Sequence, residues 1–211
     1  MTTPQLRDLK LPEFAARLAE KSPTPGGGSV AAHLAQLGCA LGCMAFRFST
    51  GPKFAAVEAQ MNARAEELER IGAQAAPLID EDSRAYEGVM AGYRLPKTTE
   101  AEKAERSAAI QAGLGGAIQV PAETLALARR GLELLAAGAP EVNPNVASDC
   151  ASGAWCLLGA AEAAFLNVRI NAASLSDKAA GAVRLAACEV DLRRTRAAAE
   201  SLRATIDAKL G

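Results

Sequence analysis

Residues 29–46 read SVAAHLAQLGCALGCMAF, and this stretch decides the fold class. It contains no charged side chain, and Ala, Leu, Gly and Cys supply most of its residues. Alanine is the best helix former, and a helix that is apolar on every face has to bury every face. Because Ser29 is a good N-cap, the stretch predicts a helix over Val30–Phe46 that is surrounded by other helices.

A second stretch of the same kind, Ser148–Asn171, also follows a cluster of helix-breaking residues. Two helices that are apolar all round predict the centre of a helical bundle, or a centre that is shared with a second subunit. Alanine makes up nearly a quarter of the chain, and clusters of strand-forming residues are missing. We therefore expect an all-α, dimeric helical bundle in which residues 1–211 form one domain.

The other helices are predicted from hydrophobic periodicity and from the positions of Pro and Gly. A short helix precedes the first breaker cluster, long amphipathic segments lie between the two central helices, and a charged helix ends the chain. Pro77 is a possible kink, and at Pro121 the helix either kinks or starts anew. The predicted ranges are Pro12–Glu20, Lys53–Gly92, Glu100–Ala137 and Asp177–Leu210.

Composition argues against several classes of function. The formal charge is −1, from 23 basic and 24 acidic residues, so no basic field is available to attract nucleic acid. The N-terminus lacks the apolar core of a signal peptide, and the charge-free stretch is too rich in Gly, Ser and Pro for a membrane span. Five cysteines with one histidine give no set of four zinc ligands, so we expect no metal site and a reducing, cytoplasmic compartment.

The first candidate site is the segment Pro25-Gly26-Gly27-Gly28-Ser29. Three glycines remove side-chain bulk and allow positive φ, which lets a ligand approach the backbone at the start of a helix. The segment has neither the pattern of a Walker loop nor that of a dinucleotide fingerprint, and a tight turn with an N-cap is the simpler interpretation. His33 follows one turn later on the same face, either as a core residue or as an acid/base group.

The second candidate site runs from Asp82 to Lys97. Asp82, Tyr86 and Tyr93 are spaced so that they fall near one face of a helix. The simpler interpretation is a solvated acid beside a core tyrosine. The functional interpretation is a carboxylate in a cleft that recognises an amino-heterocycle or acts as a base.

The third candidate site joins Asn145 and Asp149, at the start of the second apolar helix, to Arg169 and Asn171 at its end. An aspartate in a first helical turn is favourable for the helix dipole alone, which is a sufficient structural explanation for Asp149. Arg169 and Asn171 interrupt an apolar run, where a buried arginine would need an anionic partner.

Together these segments resemble a known family. They are SPTPGGGS from Ser22, the Asp82 helix that ends in YRLPK, NPNVxSD from Asn143, and LNVRIN from Leu166. In this order, and over nearly the whole chain, they resemble the cyclodeaminase/cyclohydrolase family of folate enzymes. The resemblance implies an all-helical, dimeric fold that binds folate in a cleft at the Pro-Gly-Gly-Gly-Ser segment.

The resemblance also implies an activity. A standalone chain of this family is expected to be a methenyltetrahydrofolate cyclohydrolase, which hydrolyses 5,10-methenyltetrahydrofolate to 10-formyltetrahydrofolate in one-carbon metabolism. Because the carbon under attack is already cationic, no cofactor is expected beyond the folate substrate. The alternatives are formiminotetrahydrofolate cyclodeaminase, which releases ammonia, and a folate-binding or helical interaction protein without catalysis.

The candidate residues divide by expected role. A base takes a proton from water and an acid protonates N5, and the expected catalytic residues are Asp82, Asp149, Lys97 and His33. The expected substrate-binding residues are Pro25, Gly26, Gly27, Gly28, Ser29, Tyr86, Asn145, Arg169 and Asn171. Which aspartate is the base and which recognises the substrate stays open at this point.

Overall fold

The computed structural model describes residues 5–211, and within that range the chain forms six α-helices and no β-strand. The first helix is short and the other five are long. They are α1 (Leu11–Ala19), α2 (Gly27–Arg47), α3 (Glu58–Arg94), α4 (Glu100–Gly138), α5 (Ala147–Ala173) and α6 (Lys178–Leu210). The prediction of an all-α fold is confirmed.

Helices α2, α3, α4 and α5 close into a four-helix ring, and α6 packs across α4 and α5 from outside. Each helix of the ring contacts the next one, and α5 closes the ring against α2. The largest fully buried side chains fill the space between them and are mostly aliphatic: Phe46, Met61, Leu68, Ile71, Ile79, Ile118, Leu125, Leu132, Leu135, Leu157, Leu202 and Val142. Leu and Ile side chains thus fill most of the core volume, and buried Ala residues let the helices pack closely.

Helices α2 and α5 pack antiparallel and very closely. A Cβ atom at Gly38 would lie 2.7 Å from the carbonyl oxygen of Gly153, and a Cβ atom at Gly153 would lie 2.9 Å from that of Gly38. Both separations are too short for carbon, so only glycine fits at this crossing. At one end of the pair, Gly27 at the start of α2 lies beside Asn167 near the end of α5. The N-termini of α2 and α5 therefore lie at opposite ends of the bundle.

The start of α2 differs from the prediction. The helix begins at Gly27 rather than at Val30, and its N-cap is Gly26, in an extended conformation. Ser29 therefore lies inside the first turn, where it is fully buried, instead of capping the helix. The extra turn brings the glycine segment into the helix terminus itself.

The long helices also differ from the prediction in detail. Helix α3 begins at Glu58 rather than at Lys53, because Pro52–Phe54 forms a separate turn of 3₁₀-helix. Both interior prolines are accommodated: α3 continues through Pro77 and α4 continues through Pro121. Of the two possibilities at Pro121, the helix that continues is the one observed.

The expectation that both apolar helices are buried on every side is wrong for the single chain. Leu37 of α2 is 41% exposed, and Trp155, Leu166 and Ile170 of α5 are 43%, 51% and 67% exposed. By length and hydropathy both helices pass the test for a membrane span, although 56% of the apolar span of α2 and 39% of that of α5 are buried inside the domain. These four side chains mark one outward apolar surface, the α2/α5 face.

Candidate active site

A cleft of about 420 Å³ opens where α2 begins, between the last third of α3, the middle of α4 and the end of α5. Its lining mixes backbone, aromatic and polar groups: Pro23, Thr24, Gly26, Gly27, Asp82, Tyr86, Val89, Met90, Tyr93, Leu114, Ala117, Asn167, Ile170, Asn171 and Ser174. The first and second candidate segments and the far end of the third thus meet in one place.

Asp82 supplies the carboxylate of this cleft. Its Oδ2 atom accepts hydrogen bonds from the backbone N–H of Ser29 at 3.0 Å and from the Ser29 hydroxyl at 3.3 Å. Ser29 lies in the first turn of α2, where N–H groups lack helical partners and the helix dipole is positive. Both hydrogen bonds use Oδ2, and Oδ1 lies against Gly28.

The surroundings of Asp82 change its acidity. Burial raises the pKa of Asp82 above its usual range, and the two hydrogen bonds from Ser29 partly oppose this rise. Burial acts in this direction because a charged carboxylate is poorly solvated away from water. A carboxyl group whose pKa is raised towards neutrality is suited to accepting and returning a proton.

Residue 28 has to be glycine because a side chain there would clash with Asp82, and not because of its backbone conformation. A Cβ atom at Gly28 would lie 1.9 Å from Oδ1 of Asp82 and 2.4 Å from its Cγ. Within residues 5–211 positive φ is found only at Gly51 and Gly211, so the expectation of positive φ in the Pro25–Ser29 segment is wrong. The missing side chain at Gly28 makes room for the carboxylate itself.

Gly26 and Gly27 are in the cleft wall, whereas Pro25 is buried. Gly26 and Gly27 line the cleft, and a Cβ atom at Gly27 would meet only Asn167 Nδ2, at an ordinary 3.5 Å. Pro25 is buried beneath them, after a cis Thr24–Pro25 peptide bond. Gly27 therefore presents bare backbone to the cleft, as expected for a segment that a ligand approaches.

Two asparagines and two tyrosines complete the polar lining. Asn171 donates from Nδ2 to the carbonyl oxygen of Ala117 at 2.8 Å, which ties the end of α5 to α4. Asn167, one turn earlier, donates to a carbonyl of its own helix. Tyr86 and Tyr93 both line the cleft on the α3 side. These groups offer amide and hydroxyl contacts together with flat aromatic surface.

Lys97 lies in a separate, neighbouring pocket. The pocket has a volume of about 310 Å³ and shares Tyr93 and Ser174 with the cleft. Lys97, Lys103 and Arg106 make it strongly basic. Lys97 is therefore close to the cleft but does not line it, and it is exposed to solvent.

His33 lies outside the cleft. Its ring packs edge-on against Phe14 with centroids 5.6 Å apart, and its Nδ1 is 3.3 Å from Oε1 of Gln36. The small cavity beside it is lined by α1, by residues just before α1 and by Ile79, and it shares no residue with the cleft. The position favours the simpler interpretation, a packed residue between α1 and α2.

Asp149 and Asn145 lie at the opposite end of the bundle from Asp82. Asp149 and Asn167 are 18 residues apart on α5, which is five full turns, so they leave the helix in the same direction and roughly 27 Å apart. Asn145 is exposed and Asp149 is half-exposed. Arg169 is also exposed, so the expectation that it is buried with an anionic partner is wrong.

The described part of the chain brings no three His, Cys, Asp or Glu side chains together in a way that could hold a metal ion. The five cysteines are free thiols. Burial raises the pKa of Cys39 and of Cys150 to about 12, because a thiolate would be poorly solvated there. These thiols are inert packing groups at neutral pH.

Sequence comparison assigns the chain to a family. The family model described as formiminotransferase-cyclodeaminase matches residues 10–190, which are 181 of the 211 residues. This chain belongs to the formiminotransferase-cyclodeaminase family. The resemblance that the motifs carry is therefore confirmed.

Individual relatives point to two activities. The chain is 34% identical over 198 residues to the methenyltetrahydrofolate cyclohydrolase of Methylorubrum extorquens, and the match covers 93% of this chain and 95% of that protein. It is 36% identical over 167 residues to the formimidoyltransferase-cyclodeaminase of Gallus gallus, which covers 78% of this chain but only 31% of that protein. The crystal structure of formiminotetrahydrofolate cyclodeaminase from Thermotoga maritima superposes with a TM-score of 0.87 at 26% identity, over 98% of this chain and all of that one.

Several residues that line the cleft were not among the predicted site residues. Asn167 lies one turn before Asn171 and faces Gly27, and the LNVRIN motif already contains it. Tyr93 stands in the YRLPK motif and was noted only for its spacing. No sequence pattern pointed to Met90 or Ser174 as a site residue. Each is an ordinary residue whose place in the cleft depends on how the helices pack.

Proposed function

We propose that this chain is a methenyltetrahydrofolate cyclohydrolase that converts 5,10-methenyltetrahydrofolate to 10-formyltetrahydrofolate. The observation that carries the proposal is the match to the Methylorubrum extorquens cyclohydrolase over nearly the full length of both proteins. Asp82 in its cleft supplies a group with the chemistry that the reaction needs.

In the proposed reaction, a water oxygen bonds to the amidinium carbon while Asp82 takes one of the water's protons. The adduct is neutral, because the positive charge of the substrate is lost as the C–O bond forms. The adduct then gives up its hydroxyl proton, the formyl carbonyl forms, the bond from carbon to N5 breaks, and N5 receives a proton. One proton of water ends on N5 and the other goes to solvent.

Asp82 is suited to both halves of this sequence. Its raised pKa makes it a better proton acceptor than an ordinary aspartate, and as a carboxylate it attracts the cationic substrate carbon. The Ser29 hydrogen bonds fix Oδ2, so the carboxylate is held in one orientation. General acid–base catalysis of this kind contributes roughly 10²–10⁴-fold to rate.

The remaining lining is proposed to hold the folate. Backbone at Gly26 and Gly27 allows close approach at the start of α2, and the amides of Asn167 and Asn171 match the donor and acceptor groups of a pterin. Tyr86 and Tyr93 provide surface for flat rings. No other cofactor enters this proposal.

Formiminotetrahydrofolate cyclodeaminase is the second candidate. The structural match to the Thermotoga maritima protein and the match to the Gallus gallus protein favour it. Both reactions act at a one-carbon unit between N5 and N10, so one carboxylate could serve either of them. The near-complete coverage of the cyclohydrolase relative places this candidate second.

The test is an absorbance assay with purified protein. Methenyltetrahydrofolate has its own near-ultraviolet band, and the proposed enzyme removes that band with 10-formyltetrahydrofolate as the product. Ammonia release from formiminotetrahydrofolate identifies the second candidate instead. A protein that binds folate without consuming either substrate would contradict both enzymatic proposals.

We further propose that the enzyme is a homodimer in a reducing, cytoplasmic compartment. Exposed apolar side chains on α2 and α5 support the dimer, and five free thiols support the compartment. Light scattering at micromolar concentration tests the dimer, and a fully active monomer would refute it.

A further inference from the structure

The pocket beside the cleft has no part in the proposed reaction. We call it the basic pocket and define it by Lys97, Lys103 and Arg106, while Tyr93 and Ser174 belong both to it and to the cleft. Among the described residues that line the basic pocket there is no acidic side chain. The pocket is therefore suited to an anionic group, and a molecule bound in the cleft can extend into it past the shared residues.

The wall of the basic pocket is held by contacts between α3 and α4. Arg106 donates from Nε and Nη2 to the carbonyl oxygen of Tyr93 at 3.4 and 3.3 Å, and its guanidinium carbon lies 5.2 Å from the centre of the Tyr93 ring. The two helices are tightly packed here, since a Cβ atom at Gly92 would lie 2.8 Å from the backbone nitrogen of Ile110. Arg106 is thus fixed at the boundary between the pocket and the cleft.

The two lysines of the basic pocket differ in their contacts. Lys97 precedes an anchored turn, because Glu102 accepts hydrogen bonds through Oε2 from the backbone N–H groups of the next two residues, at 2.8 and 2.9 Å. Lys103 forms an ion pair with Glu100 at 2.7 Å, and the Glu100 side chain is 90% exposed. Such exposed pairs contribute little stability, so Lys103 can exchange this partner for another carboxylate.

A continuous path leads from Asp82 to the basic pocket. Tyr86, Met90 and Tyr93 follow Asp82 on α3 at intervals of three or four residues, and all of them line the cleft. Flat aromatic and flexible apolar side chains of this kind suit a planar ring. The path therefore has a carboxylate at one end, apolar and aromatic surface along it, and cationic groups at the other end.

The length of this path fits a folate. Asp82 and Tyr93 are 11 residues apart on α3, which corresponds to roughly 16 Å along the helix. In a folate, a p-aminobenzoyl group separates the one-carbon unit from a glutamate that carries two carboxylates. With ordinary bond lengths, this spacer holds the carboxylates about 10 Å from the reacting carbon. Hydrogen-bond contacts at the two ends account for the remaining length.

We infer that the basic pocket binds the glutamate carboxylates of the folate substrate, and that Lys97 determines specificity for this charged end. The inference rests on the proposed function, since it takes Asp82 as the position of the reacting carbon. It gives Lys97 a role in binding rather than the catalytic role expected from the sequence. The reason is position, because Lys97 lines the basic pocket and not the cleft.

Calorimetric titration with two unreactive ligands tests the inference. One is tetrahydrofolate, and the other is its diamide, in which carboxamides replace both glutamate carboxylates. The wild type is expected to bind tetrahydrofolate about 10–100-fold more tightly than the diamide. Lys97→Met keeps the length of the side chain but removes its charge, and it should lower this ratio about 3–10-fold. The matched control is Lys53→Met, at an exposed lysine that lines neither the cleft nor the basic pocket, and it should keep the wild-type ratio.

Steady-state kinetics separate binding from catalysis at Lys97. Lys97→Met is expected to raise the KM for methenyltetrahydrofolate about 3–10-fold, because contacts to the remote carboxylates are the same in the ground state and in the transition state. Loss of a catalytic acid or base would instead lower kcat about 10²-fold or more. A fall in kcat of that size would return Lys97 to the catalytic residues and overturn its assignment to binding.

Two titration results would also overturn the inference. One is equal affinity of the wild type for tetrahydrofolate and its diamide, and the other is a Lys97→Met variant that keeps the wild-type ratio. In both cases the protein still binds a folate, so the proposed function stands while the inference fails. A protein that binds neither ligand would contradict the proposed function as well.

Discussion

The turn that begins α2 and the turn that begins α5 have much in common in the sequence, yet the structure uses them differently. Each precedes a nearly uncharged helix, and each has an aspartate associated with it, Asp82 or Asp149. At the α2 turn, Asp82 of α3 accepts a hydrogen bond from the backbone N–H of Ser29. At the α5 turn, the loop is anchored through Asn143, while Asp149 stays half-exposed. A helix N-terminus by itself is thus an incomplete site, and what packs against it decides its use.

Asp82→Asn is expected to give the largest effect. Turnover should fall about 10²-fold or more, because the amide cannot accept the proton from water. Since burial raises the folded-state pKa of Asp82, the ionised carboxylate costs stability as pH rises through that pKa. The neutral variant should therefore melt at a higher temperature than the wild type at pH 7, and this advantage should shrink towards about pH 4, near the unfolded pKa. Steady-state assays and melting curves at both pH values test this.

Gly28→Ala should have the next largest effect. The added methyl group occupies the position of the Asp82 carboxylate, so the carboxylate has to turn away and give up its bonds to Ser29. We expect a fall of roughly 10–100-fold in kcat, since small misplacements of a catalytic group are costly. Gly115→Ala, where a Cβ atom meets nothing within 4 Å, is the matched control and should keep its activity. Equal turnover of the two variants would contradict the steric role of Gly28.

Asn143→Ala tests the anchoring at the α5 turn. The change removes the bond to the Phe48 carbonyl and the bond that the Asn143 side chain accepts from Asn145 N–H. We expect a loss of about 1 kcal/mol in the free energy of unfolding, measured by denaturant titration. Asn145→Ala serves as the control, because that side chain is exposed. Matching stability losses in both variants would show that the turn is held by something else.

His33→Gln should have the smallest effect. The histidine packs against Phe14 outside the cleft, and glutamine can keep a contact with Gln36. Turnover should stay within about twofold of the wild type, where loss of a catalytic acid or base would give about 10²-fold or more. A pH–rate profile checks the same point, since its limbs should not move. A large fall in kcat would restore His33 to the catalytic residues.

Much of the molecule was predictable from local patterns. The helix ranges were close, because alanine content and hydrophobic periodicity are properties of neighbouring residues. The family followed from four motifs in order, and the comparisons confirm it. Asp82 and the glycine segment were both singled out, but their direct contact was not, since residues 28 and 82 lie on different helices and no periodicity relates them.

The sequence by itself determined that the chain is helical, that α2 and α5 are its apolar helices, and that three polar segments carry the chemistry. The tertiary structure alone decided that α2 and α5 run antiparallel. Asp82 of α3 lies beside the start of α2, and the antiparallel direction of α5 therefore places Asp149 at the other end of the bundle. It also showed that the α2/α5 face stays partly exposed. The reason is physical: helix propensity and periodicity act within a few residues, whereas helix direction and burial depend on which side chains interlock across the whole core.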